Sequence, residues 1–326
     1  MSPSLKALLD TSKKESRLLG EVQRLLLDPG RDSDRSVEVL HPSEISHDDW
    51  CHRAAYYQLK GIKPNKSTFI SSWRMQGIFA EGHEIHHKWQ NWFWDIGRLA
   101  GVFYCYNCKS ASWEESPTHC PRCGASRNLM RYDEVPLFHD RLRIAGHSDG
   151  QDIDGSNIEI KSVSLGTLRF EAPDLLKAHT YKFQVRGSTK EFVDLDGLWD
   201  SIRRPFPTHI RQGHLYSFIS QSFVDGAHAT NGDEIYLYES KWNQKAKEFV
   251  VKFRQDRIQD ILDRVKEVNY ALSENHPPTC IFGGCERCRN YEGENNAPQH
   301  RRLPSRVGQN NQEIRVKRLP RRVQPS

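Results

Sequence analysis

No apolar run in this 326-residue chain approaches the ~18 residues that a membrane-spanning helix needs. The N-terminus also lacks the apolar stretch of a secretory signal peptide, so we expect a cytoplasmic protein with no membrane partner. A hydrophobic content of 37% and a mean hydropathy of −0.74 are typical of a polar globular protein. The length suits one large domain or two of average size.

Net charge is nearly absent outside the last part of the chain. From Arg301 to Ser326 the sequence has seven Arg and one Lys against one Glu, a charge of +7. The whole chain carries +5, so the first 300 residues carry −2. Pro, Gln and Asn interrupt the basic segment and few apolar residues support it, so we predict a disordered tail over residues 291–326. Such a tail suits contact with phosphates, although many basic tails only improve solubility.

Internal repeats are absent apart from two similar cysteine pairs, and the apolar spacing predicts an α/β chain. A helix and a polar linker are expected within residues 1–36. Ser43 is a candidate N-cap for a helix that runs through Cys51 to about Leu59. Residues 166–207 have a mixed pattern that predicts no single element. The other predicted elements are helices over residues 72–96, 208–223 and 255–273, strands over 129–163, and a hairpin over 234–253.

Apolar and charged residues alternate from Ile158 to Lys161, as in a strand with one apolar face. Glu159 and Lys161 share the other face. A turn is expected over residues 154–157, so an antiparallel hairpin would bring Asp149 near this strand. An ordinary surface hairpin has the same pattern, and the functional interpretation depends on the rest of the chain.

The length of this turn decides on which face Asp149 lies. A two-residue turn would place Asp149 on the face opposite Glu159 and Lys161. An odd-length loop centred on Gly155 would place Asp149 opposite Lys161, with Gln151 opposite Glu159. We predict an odd-length loop or an equivalent bulge, with the two carboxylates within about 5 Å so that they can share one ion.

Eight cysteines fall into two sets of four. The first set is two C-x2-C pairs separated by eleven residues, Cys105, Cys108, Cys120 and Cys123. In a cytoplasmic chain, such clustering favours a metal over disulfides. Four thiolates from two tight knuckles make a tetrahedral, structural Zn²⁺ site, so we predict a zinc ribbon over residues 102–127.

The segment from His83 to His87 matches H-E-x-x-H, the pattern of zinc metalloproteases. Such a site needs a third protein ligand. The extended form of the motif would have Gly at 90 and His at 93, where this chain has Gln90 and Phe93. A metalloprotease is therefore the less favoured alternative.

Four other short motifs follow one another along the chain: Gly82-x3-His86, Gly146-x2-Asp149, Glu159-x-Lys161 and Gln212-x3-Tyr216. With a Ser-led helix that carries Cys51 and a terminal cysteine cluster, this order resembles the RecB-like branch of the PD-(D/E)XK nuclease superfamily. The resemblance is closest to the CRISPR-associated and phage-encoded RecB-like iron–sulfur exonucleases, and it covers about Leu40 to Cys288. It implies a nuclease domain over residues 37–290, with a restriction-endonuclease-like core of mixed sheet flanked by helices.

The resemblance also implies a divalent metal site. Phosphodiester hydrolysis needs charge neutralisation and a hydroxide, and Mg²⁺ or Mn²⁺ held by hard oxygen ligands supplies both. Asp149, Glu159 and the backbone carbonyl of Ile160 are the expected ligands. His86 resembles a further ligand of the family, and its imidazole favours Mn²⁺.

Three further residues are expected to act beside the metal. Lys161 would orient the attacking water or stabilise the developing negative charge. By resemblance, Gln212 and Tyr216 help to hold the active site and the substrate. The structural alternative is a salt-bridged hairpin in which Lys161 only pairs with the acids.

The second cysteine set consists of one early and three late residues, Cys51, Cys280, Cys285 and Cys288. In the resembling family, such a set holds a [4Fe-4S] cluster that joins the two ends of the nuclease domain. The late spacing here is x4 and then x2, whereas the family pattern has the short gap first. A second zinc ion or buried free cysteines therefore stay open as alternatives, with the iron–sulfur cluster favoured.

The function implied by the resemblance is a metal-dependent DNA exonuclease in recombination, repair or phage DNA processing. Its expected partner is DNA, as single strands or duplex ends, and the sequence identifies no protein partner. The competing class is a non-enzymatic zinc-ribbon protein that binds nucleic acid, in which the acidic hairpin is structural.

Overall fold

The computed structural model describes residues 17–26, 36–65, 73–221 and 231–292. Contacts divide the chain into two units, Met1–Tyr291 and Glu292–Ser326, and every element named below lies in the first. The basic tail lies outside the described residues except at its start, and so does nearly all of the predicted linker. None of the described helices is long and apolar enough to cross a membrane.

The described residues form ten α-helices and eleven β-strands. The helices are α1 (Arg17–Leu26), α2 (Pro42–Ile45), α3 (His52–Leu59), α4 (Trp73–Asp95), α5 (Leu165–Glu171), α6 (Pro173–Ala178), α7 (Leu195–Ser201), α8 (Pro207–Gln221), α9 (Gln259–Glu274) and α10 (Glu286–Arg289). The strands are β1 (Ala100–Cys105), β2 (Ser110–Glu115), β3 (Met130–Tyr132), β4 (Val135–His139), β5 (Ile144–Ser148), β6 (Gly150–Gln151), β7 (Asn157–Val163), β8 (Thr180–Val185), β9 (Ser188–Val193), β10 (Asp233–Ser240) and β11 (Ala246–Lys252).

A mixed central sheet organises the molecule. Its strand order is β11-β10-β7-β6-β1-β2, and β3 also pairs with β1. Strands β7 and β10 are parallel, and the other pairs in the sheet are antiparallel. Strands β4 and β5 form a separate pair, and so do β8 and β9. The predicted α/β class, with a mixed sheet flanked by helices, is confirmed.

Strand β7 lies between two helices and is buried on both faces. Ile158 and Ile160 pack in an apolar cluster with Ile85 of α4. On the other face, the Asn157 side chain donates to Ser217 Oγ of α8 at 2.9 Å. The alternating pattern thus separates an apolar face from a polar face, as the sequence predicted. However, the polar face is covered by α8, so its charges are withdrawn from water and need partners.

The loop between β6 and β7 has an odd length, as predicted. Gly150 pairs with Ile158, and the Asp152 N–H donates to Ser156 O at 2.8 Å, which leaves a three-residue loop centred on Asp154. The predicted centre at Gly155 is wrong by one residue. Continuing the register places Asp149 across from Glu159, so the predicted pairing of Asp149 with Lys161, and of Gln151 with Glu159, is also wrong. Opposed positions share a face, although Asp149 itself lies in a bend outside the paired strands.

The helix predicted to start at Ser43 is two helices instead. Pro42 occupies the first turn of α2, where its missing N–H costs nothing, so that helix starts one residue before Ser43. A separate helix, α3, begins after Cys51, which holds its N-cap position. The mixed segment 166–207 contains α5, α6, the β8–β9 hairpin and α7.

Candidate metal and catalytic site

Asp149 lies at a bend where the chain leaves β5 and enters β6. Strand β5 pairs with β4, whereas β6 pairs with β7, so the bend joins two separate sheets. The Ile160 N–H donates to Asp149 Oδ2 at 2.6 Å. Ser148 Oγ donates to Gly150 O at 2.9 Å and steadies the same bend. The Asp149 side chain is therefore oriented by backbone that belongs to β7.

Helix α4 presents two side chains to Asp149 from successive turns. His86 Nδ1 lies 3.1 Å from Asp149 Oδ1. Gln90 donates its side-chain N–H to Asp149 O at 2.8 Å. Residues four apart on a helix share one face, so the same face of α4 holds both the carboxylate and the backbone of Asp149.

The H-E-x-x-H residues of α4 point elsewhere. His83 and Glu84 are exposed, and the His87 side chain is 65% exposed. Among the described residues, no cluster of potential metal ligands contains any of these three. This arrangement gives no support to a metalloprotease site.

A series of polar side-chain contacts connects β7 to α8 on the polar face of the sheet. Lys161 Nζ lies 2.5 Å from Glu159 Oε1 and donates to Gln212 Oε1 at 3.1 Å. Gln212 donates its side-chain N–H to the Tyr216 hydroxyl at 3.3 Å. Each of the four predicted residues therefore contacts the next one, in the order Glu159, Lys161, Gln212 and Tyr216. The lysine amine has a partner on two sides.

Gly146 has a steric role in this arrangement. A Cβ atom at this position would lie 3.0 Å from Tyr216 Cε1 and 3.1 Å from Pro42 Cδ. Those contacts are tighter than almost all real ones, so Tyr216 packs where any other residue would place its side chain. The glycine of the G-x2-D motif thus lets α8 approach β5. Gly82, in the other glycine motif, has only an ordinary contact to Ser162 Oγ at 3.7 Å.

One residue of the site was missed in the sequence. Glu134 joins His86 and Asp149 in a cluster whose potential ligand atoms lie within 4.8 Å of one another. It lies in the short link between β3 and β4, in the left-handed region at φ 53°. That conformation costs energy for a residue with a side chain, and such strain is common at functional sites. No short motif marks Glu134, because only the folded chain brings it to Asp149.

Glu159 is not part of the cluster of His86, Glu134 and Asp149. Its ion-pair partner is Lys161. The expected ligand set of Asp149, Glu159, His86 and the Ile160 carbonyl therefore stays a prediction. The Ile160 N–H is already engaged by Asp149 Oδ2.

The charges of the site act strongly on one another because it is buried. Burial raises the pKa of Glu159 to about 7, with Asp149 adding to the rise and Lys161 opposing it. Burial and the neighbouring Asp149 charge raise the pKa of Glu134 to about 7. Burial also opposes ionisation of Asp149, but its pKa is lowered because His86 and Lys161 lie close to it. Asp149 is thus the carboxylate that stays ionised.

Lys161 stays protonated although its side chain is only 20% exposed. Burial alone would lower its pKa, but the charges of Glu159 and Asp149 raise it above the ordinary value. If all three carboxylates were ionised and His86 were neutral, the site would carry two negative charges in excess of the one positive charge of Lys161. A divalent cation is the simplest partner for such an excess.

The first cysteine set forms one cluster at the end of the β1–β2 hairpin. Cys105 Sγ and Cys123 Sγ are 3.7 Å apart, as are Cys108 Sγ and Cys120 Sγ. Four thiolates around one tetrahedral Zn²⁺, at about 2.3 Å each, would be about 3.8 Å apart. The Asn107 side chain and the Ala125 N–H lower the pKa of Cys123 to about 6, which favours the thiolate that a metal requires. The residues fit a single tetrahedral ion.

The second cysteine set also comes together. Cys51 Sγ lies 3.8 Å from Cys280 Sγ, and Cys285 Sγ lies 3.8 Å from Cys288 Sγ. Burial opposes the thiolate of Cys280, but backbone N–H groups of the following loop lower its pKa to about 6. These distances fit one tetrahedral ion. A [4Fe-4S] cluster has irons and sulfides between its thiolates and would require them to move apart.

No protein-family model matches this chain, and no curated protein matches it. Nine chains of solved structures do match. One is LHK-Exo in complex with dAMP, at 12% identity and a TM-score of 0.38, covering 73% of this chain and 90% of that one. Another is the alkaline exonuclease LHK-Exo from Laribacter hongkongensis, at 10% identity and a TM-score of 0.35, covering 78% and 93%. TM-scores this low do not establish a shared fold, so the function rests on the site itself.

Proposed function

We propose that this protein is a metal-dependent nuclease of the PD-(D/E)XK type that hydrolyses DNA from its ends. The observation that carries the proposal is the group of buried Asp149 and Glu159 with half-buried Lys161, and with His86 and Glu134 beside Asp149. Burying several charges can cost more free energy in desolvation than their mutual attraction returns. Such a group is therefore expected where chemistry requires it.

The donor set suits Mg²⁺ or Mn²⁺. Asp149 and Glu134 offer carboxylate oxygens, and His86 offers a nitrogen, all within 4.8 Å of one another. Glu159, across the hairpin from Asp149, and the Ile160 carbonyl are further ligands under this proposal. When bound, the ion would neutralise the phosphate charge and lower the pKa of a bound water.

The chain's own residues position the reacting groups. Lys161 keeps its positive charge and is held between Glu159 and Gln212, so its amine can orient a water molecule or stabilise the negative charge on phosphorus oxygens. Tyr216 holds Gln212 in place, and its pKa is raised well above the ordinary value by burial. It therefore stays a neutral hydroxyl and acts as a positioning residue.

The finer parts of the proposal rest on the resemblance given by motif order. These parts are the RecB-like branch, exonuclease action and a role in recombination, repair or phage DNA processing. The cofactors proposed beside the divalent ion are a structural Zn²⁺ at the first cysteine set and a metal at the second. Motif order favours [4Fe-4S] at the second set, and the thiolate distances favour a single ion.

The competing function is a non-enzymatic protein that binds nucleic acid through its cysteine ribbon. It would explain the ribbon and the basic tail, but it gives no reason to gather three carboxylates near one lysine, with two of them buried. A simple salt-bridged hairpin would need one acid for Lys161. The excess of acids favours the nuclease.

The test compares linear and circular single-stranded DNA of the same sequence. The purified full-length protein is incubated with each substrate in Mn²⁺ or Mg²⁺, and with a chelator as control. We expect the end-labelled linear strand to be degraded, the circle to persist, and the chelator to stop the reaction. Cleavage of the circle would make the enzyme an endonuclease, and no cleavage of either substrate would contradict the proposal.

A further inference from the structure

The β8–β9 hairpin carries a group of exposed aromatic rings. Tyr181 is 53% exposed, Phe183 is 49% exposed and Phe192 is 57% exposed. Burying an aromatic ring stabilises a fold by a few kcal/mol. The fourteen residues of this hairpin leave three rings exposed, so these rings do not contribute that free energy to folding. Exposed apolar groups concentrated in this way mark an interaction surface.

The rings belong to one face of the hairpin. Tyr181 pairs with Phe192 across the strands, and Phe183 pairs with Lys190. Directly opposed residues, and residues two apart on a strand, point to the same side. The rings and Lys190 therefore form one surface, which we call the aromatic face.

The opposite face is polar and internally paired. Lys182 Nζ lies 3.0 Å from Glu191 Oε1, and the Gln184 side chain donates to Thr189 Oγ1 at 2.9 Å. These pairs satisfy the polar groups across the strands. The two faces thus differ in kind, and the aromatic face is the one that offers contacts to another molecule.

The hairpin is also held at both ends. Its two-residue turn has Arg186 at φ 49° and Gly187 at φ 80°, the left-handed conformations of a tight hairpin turn. At its base, the Asp194 N–H donates to His179 O at 3.0 Å, and His179 Nε2 lies 2.9 Å from Ser201 Oγ of α7. The hairpin is therefore a defined arm with a fixed root.

The root of this arm is continuous with the proposed active-site strand. The segment that carries the hairpin begins at Ser164, directly after β7, which is the strand of Glu159 and Lys161. Val163 of β7, Leu168 of α5 and Trp199 of α7 are buried in a single apolar cluster. The arm is thus anchored through that cluster to the end of the strand that carries the catalytic lysine.

We propose that the aromatic face of this hairpin binds single-stranded DNA by stacking its bases. Aromatic rings bind bases of any sequence in this way, and basic residues hold the backbone. Lys190 supplies a positive charge on the aromatic face itself, and Arg186 supplies another in the turn. Tyr181 and Phe183 are two residues apart, about 6.6 Å along the strand, or twice the ~3.4 Å separation of stacked bases. This backbone spacing would let one base insert between the two rings.

This inference rests on the proposed nuclease function, because an enzyme that degrades DNA from ends must hold the strand near its site. The first test measures binding without cleavage, using fluorescein-labelled oligo(dT) and full-length protein in a chelator. The test variant combines Tyr181→Leu, Phe183→Leu and Phe192→Leu, which keep apolar side chains and remove the rings. The matched control combines Gln184→Ala and Thr189→Ala on the polar face.

We expect the leucine variant to bind at least about fivefold more weakly for each ring that stacks, and the control to bind like the wild type. A strand that contains 2-aminopurine should lose fluorescence on binding the wild type and keep it with the leucine variant. Trypsin cleavage at Arg186 reports whether the hairpin is intact, and it should be equally slow in all three proteins. If trypsin cleaves the triple leucine variant faster than the wild type, the single variant Phe183→Leu is tested in its place.

Unchanged affinity and unchanged quenching in the leucine variant would overturn the inference. A weaker self-association in sedimentation, with unchanged DNA binding, would also overturn it and assign the face to a second copy of the chain. Hydrolysis of bis(p-nitrophenyl) phosphate with Mn²⁺ separates this outcome from failure of the nuclease proposal. That small substrate needs the metal site and no arm, so the leucine variant should hydrolyse it at the wild-type rate.

Discussion

Asp149 meets three parts of the chain at one position. Its carboxylate accepts from the Ile160 N–H and lies beside His86, and its carbonyl accepts from Gln90. The bend that holds it also connects the β4–β5 pair to the central sheet. A substitution that preserves shape and removes only the charge is therefore the cleanest probe of its role.

We expect Asp149→Asn to keep the fold and to lower DNA cleavage by about a hundredfold or more, because the amide binds a divalent ion poorly. The matched control is Asp152→Asn. Asp152 is equally buried, lies three residues away on the same hairpin, and pairs with Arg98. Cleavage rates at saturating Mn²⁺ measure both variants. Similar rates for the two would remove Asp149 from the site.

Glu134 provides a second test at the residue scale. If it binds the metal, Glu134→Gln should require at least about tenfold more Mn²⁺ for half-maximal cleavage. The neighbouring Asp133→Asn removes the same charge from a residue that instead pairs with Arg131, and it should leave the requirement unchanged. An unaltered Mn²⁺ dependence in Glu134→Gln would make Glu134 a structural residue.

Strand β7 illustrates what the sequence could predict about an element. Alternation of apolar and charged residues is a local property, so the strand and its two faces followed from the sequence, whereas the odd length of the loop followed from the requirement that Asp149 and Glu159 share an ion. The exact centre of the loop did not follow. The Ile153 N–H donates to the Asp152 side chain at 2.9 Å, and Asn231 donates to Asp154 O at 2.9 Å. The second contact comes from residues far along the chain.

The same contrast holds for the site residues. His86, Asp149, Glu159 and Lys161 stood in recognisable motifs, and they do come together. Glu134 could not be found, because its nearness to Asp149 depends on how β3 leads into β4. The β8–β9 hairpin was also missed, because its turn has Arg186 before Gly187 where the strong hairpin signals have Asn or Asp before Gly.

The two cysteine clusters allow a prediction at the element scale. Cys51 and Cys280 lie 229 positions apart, so their cluster joins the two ends of the described core. We expect Cys51→Ser to lose the metal of that cluster and to lower the melting temperature by ~5 °C or more, since metal binding contributes directly to folding. Metal analysis and thermal unfolding measure these effects.

The matched control for Cys51→Ser is Cys105→Ser, which removes a ligand of the first cluster. It should lose one zinc ion and leave the metal of the second cluster in place. Iron and sulfide in the wild type would assign the second site to an iron–sulfur cluster, and a second zinc would assign it to a single ion. Full metal content in Cys51→Ser would contradict a metal site at the second cysteine cluster.

At the scale of the whole molecule, charge is concentrated in residues 301–326, which lie outside the described residues. Deleting them should weaken DNA binding and flatten its dependence on salt, because each phosphate contacted contributes about −0.7 to the slope on single strands. Replacing the eight basic residues of this tail by Gln, at unchanged length, should have the same effect. Unchanged affinity at low salt would make the tail a solubility device.

The central claim is that the buried group around Lys161 hydrolyses DNA, and Lys161→Ala tests it most directly. Its matched control is Lys245→Ala, which removes a surface lysine paired with Asp196. The measurement is the single-turnover rate on end-labelled single-stranded DNA at saturating Mn²⁺. We predict that Lys161→Ala loses about a hundred- to a thousandfold in rate, while Lys245→Ala cleaves like the wild type. Equal rates for the two variants would contradict the account.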